Sequence, residues 1–504
     1  MPTRLLAACA WLIAAACAHA APAPMGYDDA RHLLARTGFG PTDAEVRRYA
    51  TMTREQAVTE LLRDVRTAAA TPPPAWAFDD GPLRAPRGES ATAEERRAFQ
   101  QQNVRQGLEL RAWWVQEMLA APSPLTERMT LFWHNHFVSS QQKVRFARLM
   151  YAQNATLRAH ALGSFATLLH AASKEPAMLV YLDVAQSRRG QPNENFAREV
   201  MELFTLGEGQ YTEQDIKEAA RAFTGWSVDR DTGRYLFRPG LHDYGTKTVL
   251  GRTGQLDGDA VLDAILARPQ VASFVTAKLW REFVSADPDP AEVERIAQAF
   301  RSRGYDIRTA LRELLLCDAF WAADHRGTLV KSPAELVVGT LRQLELAPPQ
   351  SVAFAVASAG MGQNLFSPPN VKGWPGGDAW INSSTLLARK QFLDRVARLD
   401  DAPAAAMTAM RAPAESAVPA GAPDDDKAAA QRLARRVDAG LRDLRLDAGR
   451  WVARQPGATP SAKMQSALAL LLPLPPVTPV PPTADADAGA FVRAALLDPA
   501  YQLK

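Results

Sequence analysis

Apolar residues in this chain recur mainly every three or four positions, which is the spacing of a helix with one buried face. Residues 91–119 form one long pattern of this kind, and residues 303–321 contain another. Thr212 and Asp215 have the spacing of a capping box at the start of a further helix, which Gly225 is expected to close. The pattern therefore predicts a chain built mostly from helices.

Strand-like segments are scarce. The best candidates are residues 234–239 and 246–251, which predict a small β-hairpin around residues 240–245. The sequence shows no β-α-β alternation, no glycine-rich phosphate loop and no internal repeat. We therefore predict a mostly α fold: a multi-helical globular body with at most a small β-hairpin, plus a loosely attached helical C-terminal tail.

Composition divides the chain into this body and this tail. Residues 26–400 are expected to form the helical body. Residues 401–427 are rich in Ala, Pro and Asp, which is typical of a flexible insertion. Residues 428–504 are expected to form the helical tail, with a Pro-rich linker at residues 473–487. The final residues return to an amphipathic helical pattern, which predicts that they dock on the body.

Residues 1–20 have the anatomy of a secretory signal peptide. Arg4 supplies the positive start, an apolar stretch follows that is too short to cross a bilayer, and Ala18-His19-Ala20 is a small-x-small cleavage site. We expect an exported protein, periplasmic or extracellular, with no membrane span. A lipoprotein anchor is the less favoured alternative. The residues before Cys9 fit a lipobox but leave almost no apolar region ahead of it, and those before Cys17 lack the usual leucine.

Cysteine usage argues against a disulfide-stabilised protein, and the charge balance argues against a nucleic-acid-binding protein. After cleavage only Cys317 of the three cysteines would remain, so no intramolecular disulfide is expected. Cys317 lies in an apolar helical run, which predicts a buried and inert thiol. The chain has 58 basic and 55 acidic residues, and this near balance argues against a nucleic-acid-binding protein, which usually carries a basic excess.

Residues 132–137 read FWHNHF, which fits a metal site, an HNH-type nuclease or a buried helix that contains imidazoles. Ser123 and Pro124 are a typical helix start, and the segment that follows is apolar almost all round, which predicts a buried helix. His134 and His136 lie about 200° apart on such a helix and cannot bind one metal ion together. An extended segment would allow chelation. The near-neutral charge argues against the nuclease.

A second polar cluster lies in the segment NENFAREVMEL, beside an apolar stripe. Glu194, Arg198 and Glu202 follow at four-residue spacing, which is common on a solvated, ion-paired helix face. Asn195, Glu199 and Glu202 form a second row. Two carboxylates three residues apart also suit a divalent cation or an acid–base pair, so both interpretations stay open.

Residues 367–389 hold a third candidate, a loop rich in proline and glycine that precedes a helix. Lys372, Trp374 and Trp380 combine aromatic rings with a cationic donor, which suits a sugar or another polar ligand. The helix start that follows can hold an anion. The alternative is that both tryptophans anchor the loop on the body.

Three motifs in this order resemble those of the bacterial family catalogued as Domain of Unknown Function 1800. They are FWHNHF, PNENFAREVMELFTLGEGQYTEQDIKEAARAFTGW, and PPNVKGWPGG followed by WINSST. Residues 30–42 and the final LLDPAYQLK resemble the two ends of that family, so the resemblance covers nearly the whole chain after the signal peptide. It implies an exported bacterial protein, often encoded beside a second exported family that is a candidate partner. It brings no established activity.

The resemblance makes a shared site more credible, because the motif residues are largely polar. We expect the segments FWHNHF, NENFAREVMEL and VKGWPGG to converge on one polar pocket. The first hypothesis is a hydrolase or related acid–base enzyme that acts on a polar or carbohydrate-like substrate. In it, Glu199 or Glu202 is the base or metal ligand, His134 or His136 is its partner, and Arg198 binds an anionic group.

Ligand contacts are then expected from Asn135, Asn193, Glu194, Asn195, Lys372, Trp374 and Trp380. A divalent metal is a candidate cofactor. The alternative hypothesis is a non-catalytic binding or assembly protein of the cell envelope. In that protein the same groups would form a buried network that fixes the packing of helices.

Overall fold

The computed structural model describes most of the chain between residues 23 and 504. The described residues are 23–63, 65–86, 91–398, 431, 435, 437, 444, 446–480 and 487–504. The expected signal peptide at residues 1–20 and the expected flexible insertion at residues 401–427 lie outside them.

The described chain is mostly α-helical, as the periodicity predicts. The helices of its first half are α1 (Gly26–Thr37), α2 (Asp43–Ala50), α3 (Arg54–Arg63), α4 (Ala93–Ala120), α5 (Pro124–His136), α6 (Gln141–Val144), α7 (Ala147–His160), α8 (Phe165–Ser173), α9 (Pro176–Tyr181), α10 (Glu194–Glu202) and α11 (Glu213–Ala222). Those of its second half are α12 (Gly258–Leu266), α13 (Gln270–Phe283), α14 (Pro290–Ser302), α15 (Ile307–Leu316), α16 (Asp318–Trp321), α17 (Pro333–Gln343), α18 (Val352–Gly360), α19 (Ser383–Ala397), α20 (Ala448–Arg454), α21 (Pro460–Leu471) and α22 (Ala488–Leu497).

Local sequence signals set several of these boundaries where they were predicted. The long pattern at residues 91–119 is α4, whose Thr92 forms a capping box. Thr212 and Asp215 form the expected capping box of α11. Gly225, just past that helix, has a φ of +86°, which an L side chain adopts at a cost.

Four short strands form two separate antiparallel pairs. They are β1 (Trp226–Val228) with β2 (Tyr235–Phe237), and β3 (Lys247–Val249) with β4 (Arg252–Gly254). Both predicted strand segments thus contain a strand, but their pairing with each other was wrong. Each pairs instead with its nearest neighbour in the chain. Between β3 and β4, Leu250 and Gly251 both have positive φ, which is the geometry of a tight two-residue hairpin turn.

Helix α5 lies at the centre of the body. It packs against α7 and α4, and almost every residue of it is buried, as its all-round apolar pattern predicts. Its Glu127 forms a buried ion pair with Arg158 of α7, with 2.9 Å between Oε2 and Nη2. The indole N–H of Trp114 donates to the same carboxylate at 2.9 Å. These bonds satisfy the buried charge and fix the rotation of α5 about its axis.

The C-terminal end packs into the body. Helix α22 contacts α19, and Tyr501 is fully buried, with 2.9 Å between its hydroxyl oxygen and that of Thr340 in α17. The backbone N–H of Lys504 donates to the Leu329 carbonyl at 2.9 Å, and its side chain is buried. The end of the chain therefore contributes side chains to the interior.

No single helix within the described residues has the length and apolar composition of a membrane span. Helices α12 and α13 reach that composition only when they are taken together, and a bend of 74° separates them. Cys317 is buried between α15 and α16, as predicted.

Candidate cationic cleft

The FWHNHF motif ends α5, and its three polar residues point to three different surroundings. His134 is fully buried among the rings of Trp114, Phe366 and Trp374, with centroid separations of 5.3, 5.3 and 5.8 Å. Burial lowers the pKa of His134 to about 3, so its imidazole is neutral. Within the described part of the chain neither ring nitrogen has a hydrogen-bond partner. His134 therefore lies in aromatic packing, as the buried-helix alternative predicts.

Asn135 joins α5 to the tryptophan-bearing loop. Its Oδ1 accepts from the backbone N–H of Trp374 at 2.7 Å, and its Nδ2 donates to the Trp374 carbonyl at 3.3 Å. Gly373 has a φ of +83°, and a Cβ there would lie 2.3 Å from the Asn135 Oδ1. The asparagine of FWHNHF and the glycine of VKGW thus depend on each other, and we call this arrangement the Asn135 clamp.

His136 lies on the opposite side of α5 and lines a cleft. Its Nε2 is 2.9 Å from the Phe204 carbonyl, and its Nδ1 is 3.2 Å from Nζ of Lys278 in α13. Burial, together with the positive charge of Lys278, holds the pKa of His136 well below its ordinary value. The imidazole is therefore neutral at physiological pH.

The cleft has a volume of about 400 Å³ and is formed mainly by five segments of the chain. These segments are α5, α13, the start of α17, the loop 372–380 and the C-terminal end. Rings of Phe132, Trp374 and Trp380 form part of its wall, and the cations Arg128, Lys278, Arg281, Lys372 and Lys504 also line it. The carboxylates in the lining are Glu282 and Glu335. The lining is therefore rich in positive charge.

Both of these carboxylates are already paired. Arg128, almost fully buried, binds Glu282 with 2.6 Å between Nη2 and Oε1 and also forms an ion pair with Glu335. Lys504 forms a second ion pair with Glu335. Among the residues that the structure describes, Lys278 and Arg281 form no ion pair. The cleft thus keeps cationic groups that no carboxylate within it neutralises.

Helix α10 does not present its polar row to this cleft. Arg198 binds Glu213 of α11 with both terminal nitrogens at 2.8 Å and approaches Glu194, so it belongs to an ion-paired surface. Asn193 caps α10 by accepting from the N–H of Asn195. These four residues of the segment NENFAREVMEL are away from the lining of the cleft, whereas residues of FWHNHF and VKGWPGG are part of it.

Glu199 and Glu202 lie near the cleft but do not line it. Glu202 accepts from the hydroxyl of Tyr211 at 2.8 Å. Burial and the charge of Glu202 raise the pKa of Glu199, and Lys372 opposes that shift. Helix α10 reaches the cleft through the backbone just past its last turn, where the carbonyls of Leu203 and Phe204 accept from Lys278 and His136.

The sequence interpretation missed six charged residues of the cleft: Arg128, Lys278, Arg281, Glu282, Glu335 and Lys504. A usable signal was present in α13, where Lys278 and Arg281 interrupt an apolar helix at a spacing of three. Charged groups on a helix that is otherwise buried are costly unless they have partners or a function. In the described part of the chain no group of three or more His, Cys, Asp and Glu side chains is placed to hold a metal ion.

The fold and the site define a mostly α-helical protein with a cationic cleft between its helices. The chain belongs to the family described as Protein of unknown function (DUF1800), whose model matches residues 32–503. This confirms the resemblance seen in the motifs. No curated protein and no solved structure is similar enough to match.

Proposed function

We propose that this protein binds a polar, negatively charged ligand in the cleft, and that it does so after export from the cytoplasm. The cleft is lined by five cations and two carboxylates, and this excess carries the proposal. Arg128 and Lys504 engage both carboxylates, and no carboxylate of the described residues forms an ion pair with Lys278, Arg281 or Lys372, so these three cations can bind an anion.

The position of these cations supports an anionic ligand rather than a merely solvated surface. Lys278 is half-buried, and among the described residues the hydrogen-bond acceptors of its nitrogen are both neutral, namely the Leu203 carbonyl and the His136 imidazole. A charge removed from water is stabilised when an opposite charge approaches it. Arg281 and Lys372 are exposed at the same cleft, where they can attract and orient a carboxylate, phosphate or sulfate group.

The aromatic part of the wall supports a carbohydrate-like body for this ligand. Phe132 lines the cleft and is half-buried, and a ring beside polar donors suits the apolar face of a sugar ring; Trp374 and Trp380 also line the cleft but are almost fully buried. An acidic saccharide meets both requirements, since it carries a carboxylate, a phosphate ester or a sulfate ester on a polar ring. Acid–base chemistry in this cleft would have to use groups other than Glu199 and Glu202, which are not part of its lining.

Binding should depend on the charge of the ligand. We expect glucuronate, glucose 6-phosphate and inorganic phosphate to raise the melting temperature of the purified protein, and glucose to leave it nearly unchanged. A ligand at a hundred times its Kd adds about 2.7 kcal/mol of stability, which thermal unfolding detects readily. Raising the salt concentration should weaken the effect, because ions screen partly exposed charges.

Two exposed cations of the cleft provide variants that should fold normally. Lys372→Gln and Arg281→Gln are each expected to raise the Kd for glucuronate about tenfold, or ~1.4 kcal/mol, measured by calorimetry. Arg303→Gln is the matched control, because Arg303 is exposed on another surface. Equal affinity for glucuronate and glucose, or an equal loss in the Arg303 variant, would exclude the proposal.

A further inference from the structure

Lys278 is held in a fixed position by two neutral acceptors. Its Nζ lies 2.9 Å from the Leu203 carbonyl oxygen and 3.2 Å from Nδ1 of His136. The ring of Phe274, one helical turn earlier, lies 4.9 Å from the same nitrogen. No carboxylate of the described residues lies within ion-pair distance of it.

The tautomer of His136 follows from its partners. The Phe204 carbonyl can only accept, so Nε2 of His136 carries the hydrogen and donates to it. The Nδ1 atom therefore carries a lone pair and accepts from Lys278. An ammonium group has three N–H bonds, and two of those of Lys278 are used in this way. The third has no partner among the described residues, and the side chain lines the cleft.

The surroundings of Lys278 make its ammonium group easier to deprotonate than that of an ordinary lysine. Burial, followed by the positive charge of Arg281 on the next turn, lowers the pKa of Lys278 to about 8. The other charged groups that line the cleft around it are Arg128 on α5, Glu282 on α13, Glu335 on α17, Lys372 in the loop and Lys504 at the C-terminal end. Desolvation and a neighbouring cation are the two conditions that turn a lysine into a base or nucleophile near neutral pH.

We propose that Lys278 is the proton-transfer residue of the cleft, and that His136 is the residue that positions it. The neutral amine forms a new N–H bond as a C–H or O–H bond of the bound anionic molecule breaks, and the electron pair of that bond stays on the substrate. As that electron pair forms a double bond to the adjacent carbon, the bond from this carbon to its substituent breaks, and the ammonium gives the proton to the departing substituent. This step rests on the proposed function, because the anion brings the substrate to the amine.

Reductive methylation of the full chain with formaldehyde and a borohydride tests this role, because only a neutral amine reacts. Peptide mass spectrometry gives the rate at Lys278 across a series of pH values. We expect half of the maximal rate near pH 8, whereas an ordinary lysine reaches it near about 10.4. Inorganic phosphate should slow methylation of Lys278 at least fivefold and leave Lys390, which is exposed outside the cleft, unaffected.

The outcomes separate this inference from the proposed function. A midpoint above pH 10, or no methylation of Lys278 at any pH, would overturn the role of the amine. The role of the amine would also be overturned if phosphate stabilised the protein without slowing methylation of Lys278, because the bound anion would then not contact Lys278. A midpoint near pH 8 without any effect of phosphate would refute anion binding and support the reactive amine.

Discussion

Replacing Glu335 by glutamine should lower the free energy of unfolding by about 3–5 kcal/mol, which is the usual effect of removing one partner from a buried ion pair. Glu335 is almost fully buried and pairs with both Arg128 and Lys504. Glutamine has the same shape and can still serve in the capping box with Ser332, so the start of α17 is preserved. Only the negative charge is lost, and the buried cations Arg128 and Lys504 are then less well neutralised. Denaturant unfolding measures the change.

Glu345→Gln is the matched control for this substitution. Glu345 pairs with Arg454 at 2.7 Å, but both side chains are about half exposed, so its loss should cost less than about 1 kcal/mol. Equal effects of the two substitutions would contradict the conclusion that Glu335 forms buried ion pairs with Arg128 and Lys504.

The same carboxylate predicts a pH dependence. Burial acts to raise the pKa of Glu335, but Arg128 and Lys504 outweigh it and hold the pKa at about 2, below the ordinary 4.5. Because the folded protein holds this proton more weakly than the unfolded chain, the contribution to stability is complete above about pH 4.5. It is lost as the pH falls towards 2. The stability of the Glu335→Gln variant should therefore change less over this range than that of the natural chain.

Gly373→Ala should unfold more easily and lose affinity for anions. The methyl group would lie 2.3 Å from the Asn135 Oδ1 and 2.7 Å from the backbone oxygen of the same residue, so α5 or the loop must move. The positive φ of Gly373 adds about 1–2 kcal/mol for any L side chain. The clash and the backbone strain together should lower the free energy of unfolding by more than about 2 kcal/mol, measured by denaturant unfolding. Calorimetry with glucuronate measures the loss of affinity.

Gly376→Ala is a control that separates the steric clash with Asn135 from the cost of placing an L side chain at a positive φ. Gly376 lies in the same loop with a φ of +71°, and a Cβ there would meet no atom within 4 Å. Its substitution should therefore show the conformational cost without displacement of the clamp, and anion binding should survive. If the two variants behave alike, the Asn135 clamp does not position the cleft.

The helices could be predicted from the sequence because their signals are local. The buried character of α5 follows from its apolar pattern, and the capping box of α11 follows from Thr212 and Asp215. The strand partners of β2 and β3 could not be predicted, because strands of three residues carry little information about register. In the structure β2 pairs with β1 and β3 pairs with β4.

The site was less predictable because its charges come from distant parts of the chain. Helix α5 contacts the loop 372–380, and His136, Asn135, Lys372, Trp374 and Trp380 line one cleft. The functional roles assigned to these residues stay predictions. Lys278 and Glu335 carry no motif that distinguishes them from ordinary charged residues on a helix. Only the packing of α13 and α17 beside α5 brings their charges to one place.

The Asn135 clamp joins residues that are 239 positions apart. Contacts of such separation form only after much of the intervening chain has been ordered, because the entropy of closing the loop must be offset first. Recovery of anion binding after dilution from denaturant should therefore lag behind recovery of the helical circular dichroism signal. A half-folded chain would already contain most of its helices and yet lack the contact that joins α5 to the loop 372–380.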